Sequence, residues 1–97
     1  METLNFTFKA ERSVARRVHF GVVSSGDLEI LFEPSSDRVA TICVRTSVSG
    51  YGAVWQKVLE RFHDRHGYAA HIEINDFGAT PGVVALRLEQ AVEASQG

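Results

Sequence analysis

Ser24-Ser25-Gly26-Asp27 places two hydroxyls, a residue without a side chain and a carboxylate on one short stretch of the chain. It falls between two apolar runs, VHFGVV and LEILFEP, so the chain is expected to turn there and hold its hydroxyls at the tip. A turn needs only Gly26 and Asp27. The serines are therefore either ordinary turn residues that satisfy backbone amides, or points at which something is attached. An exposed turn hydroxyl can be reached by a modifying enzyme, and Gly26 removes the side chain that would crowd an incoming group.

Other chemistry is less well supported by spacing. A hydrolase would need a base held against its nucleophile. Ser25, Asp27 and one of His19, His63, His66 or His71 form a triad only if the fold assembles one, which the sequence does not require. His63 and His66 share a helix face at i, i+3, but no cysteine or carboxylate sits at a companion ligand spacing. They read better as helix-end histidines whose charge suits the C-terminal dipole. The single cysteine, Cys43, has no disulfide partner and suggests a reducing compartment. DFGATPG lacks the spacing of a phosphate-binding loop and reads as a strand-to-helix turn, with Asp76 or Thr80 tying down backbone N–H groups. No residue is assigned to catalysis or to a metal.

The elements that position these groups follow from periodicity. LNFTFKA alternates Leu4, Phe6 and Phe8 against Asn5, Thr7 and Lys9, the pattern of a strand with one buried face. VHFGVV sets Val18, Phe20 and Val22 on one face, LEILFEP sets Leu28, Ile30 and Phe32, and VATICVRTS sets Ala40, Ile42 and Val44. The period then lengthens: Val54, Trp55, Val58, Leu59 and Phe62 mark an amphipathic helix from Tyr51 to a stop at Gly67. AAHIEIND returns to alternation, with Ala70, Ile72 and Ile74 inward. A final helix carries Val84, Leu88 and Val92 inward, with Thr80 as N-cap and Pro81 at its first position. The order β-β-β-β-α-β-α implies one α+β domain over residues 1–97, a two-layer sandwich of about five mainly antiparallel strands with two helices on one face.

Composition narrows the class. The 97 residues carry a formal net charge of -2, with 44% hydrophobic and 23% charged residues, so no polyelectrolyte partner such as nucleic acid is implied. The N-terminal METLNFTFKAERS has no apolar signal core, and no run approaches the ~20 apolar residues of a membrane span, so a soluble cytoplasmic protein without membrane contact is expected. A chain this short supports one modest core, which favours a module over a complete enzyme.

The segments VVSSGDLEILFEP, TSVSGYGAVWQKVLERF and IEINDFGATPGVVALRLEQAVE, in order and with the opening METLNFTF, resemble the family of acyl carrier (delta) subunits of malonate decarboxylase. The shorter SGD pattern is also similar to the acyl carrier (gamma) subunit of citrate lyase. In both families a serine of that motif carries 2'-(5''-phosphoribosyl)-3'-dephospho-CoA through a phosphodiester. By position that serine is Ser25, and Ser24 stands where the motif has glycine. The resemblance implies a non-catalytic carrier whose thiol holds acetyl and then malonyl. Its implied partners are the transferase (alpha) and decarboxylase (beta and gamma) subunits, a malonyl transferase and a holo-carrier synthase. Asp27 and Glu29 would assist recognition or brace the hairpin. The strand ahead of the tip and the ending PGVVALRLEQAVEASQG favour the malonate family over the citrate one. A small interaction domain is the alternative from another class.

The run RSVARR, with Arg12, Arg16 and Arg17, reads first as a solvated loop, although guanidinium forks also suit phosphate oxygens. If it meets the synthase or the transferase, replacing all three arginines with alanine should slow prosthetic-group loading or acyl transfer in a salt-dependent way, because exposed charges are screened beyond ~8 Å at physiological ionic strength. Loading followed by intact mass at low salt checks this, and equal rates for variant and parent assign the segment to solvent.

Overall fold

The computed structural model describes residues 1–10, 21–24, 26–35 and 38–95, with the backbone alone for 21–23. Arg12, Arg16, Arg17 and His19 lie outside the described residues, as does Ser25. Among the described residues five strands and two helices follow the expected order: β1 (Glu2–Lys9), β2 (Gly21–Ser24), β3 (Leu28–Pro34), β4 (Val39–Thr46), α1 (Gly52–His66), β5 (Ala70–Asp76) and α2 (Pro81–Ser95). The strands form one sheet in the order β1-β4-β5-β3-β2. Its β1–β4, β3–β5 and β2–β3 pairings are antiparallel, and β4–β5 is parallel. The parallel pair exists because α1 carries the chain back across the sheet between β4 and β5, the crossover that such pairing requires.

Alternation along the strands decides which face is covered. Leu28, Ile30 and Phe32 of β3, Ala40, Ile42 and Val44 of β4, and Ala70, Ile72 and Ile74 of β5 are all buried. They meet Trp55, Leu59 and Phe62 of α1 and Val84, Leu88, Ala91 and Val92 of α2. Leu4, Phe6 and Phe8 of β1 close the side of this core. The opposite face of the sheet is polar: the Thr41 hydroxyl lies 2.7 Å from His71 Nδ1, Asn75 Nδ2 donates to Glu29 Oε1 at 3.0 Å, and Arg45 stands 3.9 Å from Glu73. The α+β sandwich expected from the sequence is therefore observed, with both helices on one face.

The helix ends also follow their sequence signals. Gly67 takes the left-handed conformation at φ 63° and donates to the His63 carbonyl at 2.7 Å, closing α1. His63, Arg65 and His66 occupy its last turn, where positive charge meets the carbonyl end of the dipole. At the start of α2 the Thr80 hydroxyl accepts the Val83 N–H at 3.3 Å, with Pro81 in the position that lacks a donor.

Two local expectations are corrected. Val54 is not in the inward stripe of α1 but 40% exposed, because the seam that meets the sheet runs through Trp55, Leu59 and Phe62 and leaves Val54 at its edge. Ser24 is not a loop residue: it is the last residue of β2, paired with Glu29.

The core predicts its own test. Leu88 is fully buried between α2 and the sheet, and Leu88→Ala should cost about 2–5 kcal/mol, the range for buried leucine truncations that leave a cavity. Leu86, 53% exposed on the same helix, should lose less than about 0.5 kcal/mol on the same change. Urea denaturation of the two variants reads the difference.

Candidate functional site

The serine tip sits where three elements end at one level of the sheet. β2 closes at Ser24, β3 opens at Leu28, and Leu28 is paired with Asp76, the last residue of β5. Ser24 and Gly26 are exposed and Asp27 is half-buried. A Cβ placed on Gly26 would meet no atom within 4 Å, so the space at that end of the connection is open. The base of the tip, in contrast, is fixed. The Asp27 carbonyl accepts the Phe77 N–H at 2.9 Å, which joins it to the turn between β5 and α2. Glu29, expected to assist recognition or to brace the hairpin, accepts from Asn75 across the β3–β5 ladder.

That turn is organised by Asp76, only 4% exposed. Its Oδ1 accepts the backbone N–H groups of Gly78 and Ala79 at 3.2 and 2.9 Å. Its Oδ2 accepts the hydroxyl proton of Thr46, itself buried at the end of β4, at 2.8 Å. The Thr46 oxygen in turn accepts the Val48 N–H at 3.1 Å, and the Asp76 carbonyl accepts the Ser47 N–H at 3.0 Å. Gly78 has φ 115°, a conformation that side chains rarely adopt, so the tight turn after Asp76 depends on glycine there. The expectation that Asp76 and Thr80 tie down this turn holds for both residues. The sequence reading missed the Thr46–Asp76 pair, although its signal was present: each residue occupies the next inward position after an apolar alternation.

A groove of about 340 Å³ opens beside the same turn, between the first turns of α1 and α2 and the ends of β4 and β5. Tyr51, Val48 and Val54 stand exposed around it and Trp55 is buried in its wall. No sequence pattern signals this groove, since its walls come from segments distant along the chain.

The histidines disperse. His63 Nε2 donates to the Lys9 carbonyl at 2.9 Å while its ring stacks on Phe8. His66 Nε2 lies 2.9 Å from Glu89 Oε2 on α2. His71 is on the polar face of the sheet beside Thr41. Cys43 lies half-buried on that face. The pair at i, i+3 therefore points to two different partners, and among the described residues no group of three or more His, Cys, Asp or Glu is arranged to hold a metal.

Comparison with known proteins places the chain in a family. The family model described as malonate decarboxylase delta subunit (MdcD) matches residues 15–95. Proteins named malonate decarboxylase acyl carrier protein from Pseudomonas putida (strain W619) and Pseudomonas fluorescens (strain SBW25) are 52% and 51% identical over 94 residues, covering 96% of this chain and 95% of each relative. Among solved structures, a chain in the crystal structure of a Pseudomonas malonate decarboxylase hetero-tetramer in complex with malonate superposes with a TM-score of 0.81. It is 47% identical, over 96% of this chain and 97% of that one.

The polar cluster at the base of the tip should be separable from its shape. Asp76→Ala leaves the Thr46 hydroxyl and two amides without their acceptor, at roughly 1–3 kcal/mol for each group that water cannot reach, so a loss of at least about 2 kcal/mol is expected. Asp76→Asn retains an acceptor for the two amides and should lose less. Urea midpoints of the two variants against the parent check the order.

Proposed function

The chain belongs to the malonate decarboxylase delta-subunit family, and we propose that it is the acyl carrier subunit of a malonate decarboxylase, with Ser25 as the point of covalent attachment for 2'-(5''-phosphoribosyl)-3'-dephospho-CoA. The observation that carries this reading is the contrast between the tip and its base. Gly26 has open space around it, whereas Asp27 is held to the β5–α2 turn through Phe77. An exposed Ser24 on one side and an uncrowded Gly26 on the other suit a bulky substituent on the residue between them. When bound, that group supplies a thiol for acetyl and malonyl thioesters, whose carbonyl takes up the negative charge left as carbon dioxide departs.

The residues of the chain then divide the work. Ser25 provides the hydroxyl oxygen that enters the phosphodiester. Gly26 keeps the approach to it clear. The Asp27 carbonyl and the β2–β3 pairing fix the residues on either side of it, Ser24 in the ladder and Asp27 against the β5–α2 turn. A general base beside Ser25 is not required of this chain, because a separate holo-carrier synthase can supply it. Exchange of acetate for malonate belongs to the transferase (alpha) subunit, malonyl supply to a malonyl transferase, and decarboxylation to the beta and gamma subunits. Residues 1–97 act as a single non-catalytic carrier domain in the cytoplasm, whose tether raises the local concentration of the acyl group at each partner. Among the described residues no helix is long and apolar enough to cross a membrane.

Ser25→Ala should remain folded within about 0.5 kcal/mol of the parent, as surface substitutions usually do, and should gain no mass when co-expressed with the synthase. Ser24→Ala should still be loaded. Loading of the first variant but not the second would move the attachment by one residue. The loaded and acetylated chain alone, mixed with malonate, should neither exchange its acyl group nor release carbon dioxide. Adding the transferase subunit should restore exchange, and adding the decarboxylase subunits should restore release. Release from the isolated chain would make it an enzyme instead.

A further inference from the structure

The groove of about 340 Å³ lies at the tip end of the sheet, on the helix side. Its volume is at the lower end of the ~300–1,000 Å³ typical of small-molecule pockets. That admits the acyl end of a CoA-type arm but not a nucleotide as well. Val48, Tyr51, Val54, Trp55, Ala79 and Val84 give it a predominantly apolar wall, and no lysine or arginine is among its described lining residues. Among the described lining residues the one carboxylate is that of Asp76, and its oxygens already accept three hydrogen bonds. Such a wall suits an uncharged alkyl, amide or thioester. A second carboxylate would meet Asp76 without a cation to balance it, and like charges repel more strongly where water is excluded.

Position links the groove to the tip. Asp76 and Gly78 line it, and Phe77, between them, holds the Asp27 carbonyl at 2.9 Å. A tether rooted at Ser25 therefore begins two residues from Asp27, whose carbonyl is hydrogen-bonded to the residue between two that line the groove. We propose that this groove shelters the acetyl-thioester end of the chain's own arm between visits to partner subunits, and that it disfavours the malonyl form. The proposal rests on the carrier reading with attachment at Ser25. A tethered group is present at an effective concentration of about millimolar, so an intrinsic dissociation constant on the order of 0.1 mM is enough to keep the groove mostly filled. The acetyl form is then protected from water and stray thiols, while the malonyl form stays extended and available for decarboxylation.

Trp55 is the only tryptophan of the chain and stands in the groove wall, which gives a readout independent of turnover. The unloaded, acetyl-loaded and malonyl-loaded proteins, each verified by intact mass, are compared by Trp55 emission, acrylamide quenching and backbone amide shifts. The acetyl form should shift the amides of Val48, Ala79 and Val84 and shield Trp55, and the malonyl form should do so much less. Cleavage of the acetyl thioester by hydroxylamine should be about tenfold slower than for free S-acetylpantetheine, the protection expected from roughly nine-tenths occupancy. Val54→Asp changes a residue already 40% exposed and should leave loading intact while abolishing both the shifts and the protection. S-acetylpantetheine added to the unloaded chain should shift the same amides at millimolar concentration. Absence of a mass gain at Ser25 counts against the carrier reading. In a chain whose mass proves loading, unchanged Trp55 and amide signals, or equal occupancy by acetyl and malonyl, overturn the groove proposal while leaving the carrier reading intact.

Discussion

A buried carboxylate is costly unless its oxygens are fully engaged, and the tip end of this sheet depends on one that is. Asp76 collects the Thr46 hydroxyl from the end of β4 and the amides of Gly78 and Ala79 from the turn into α2, while its own carbonyl receives the Ser47 N–H. The donors come from two segments that an apolar residue at this position would leave unsatisfied. Three segments thereby stop at a common level: β4, β5 and the turn that opens α2. The fourth, the connection between β2 and β3, is secured to that level through Phe77 and Asp27. The location of the tip is thus set by the polar cluster beneath it.

The core sets the tip's register with equal force. A slip of one residue between β3 and its neighbours would turn Leu28, Ile30 and Phe32 to the polar face. Each of these is at most 2% exposed, and burial of such a side chain contributes ~1.5–3 kcal/mol, so the slipped pairing would forfeit a large part of a small domain's stability. Ser24 opposite Glu29 is consequently a fixed pairing, and the connection that follows it starts and ends at defined points of the ladder. On the carrier reading this matters for delivery: the long arm supplies the reach, and the strands that flank its root are held in register.

What the sequence made legible was local. Period-two alternation located all five strands and most of their inward residues, and the shift to helical spacing together with Gly67, Thr80 and Pro81 located both helices and their ends. Pairing was not legible, because alternation says which face a residue occupies but not which strand lies beside it. The parallel β4–β5 ladder and the placement of β5 at the centre of the sheet arise from where α1 can pack. Val54 was misplaced because it stands four residues before the half-buried Val58, and a stripe's edge is decided by the width of the partner surface. Thr46 and Asp76 could have been found as polar residues continuing an apolar alternation. Ser25 is a different case: turn chemistry offered two meanings for it, and only the resemblance across the matched segments favoured attachment.

The two faces meeting at the tip differ in how firmly they hold their contacts. On the open face, the Arg45–Glu73 and His71–Glu73 contacts are 3.9 Å long and partly exposed, so they contribute little and can be exchanged for a partner's groups at small cost. On the helix side, the groove is walled by side chains rooted in the core, among them Trp55 and Val84, whose positions are fixed by packing. A polar surface with weak internal contacts suits transient docking, which must be released after each visit. A preformed apolar groove suits a ligand that returns to the same place each time. A carrier that alternates between partners needs both properties, and the strands β2 and β3, whose connection carries the proposed attachment point, end where the two surfaces meet.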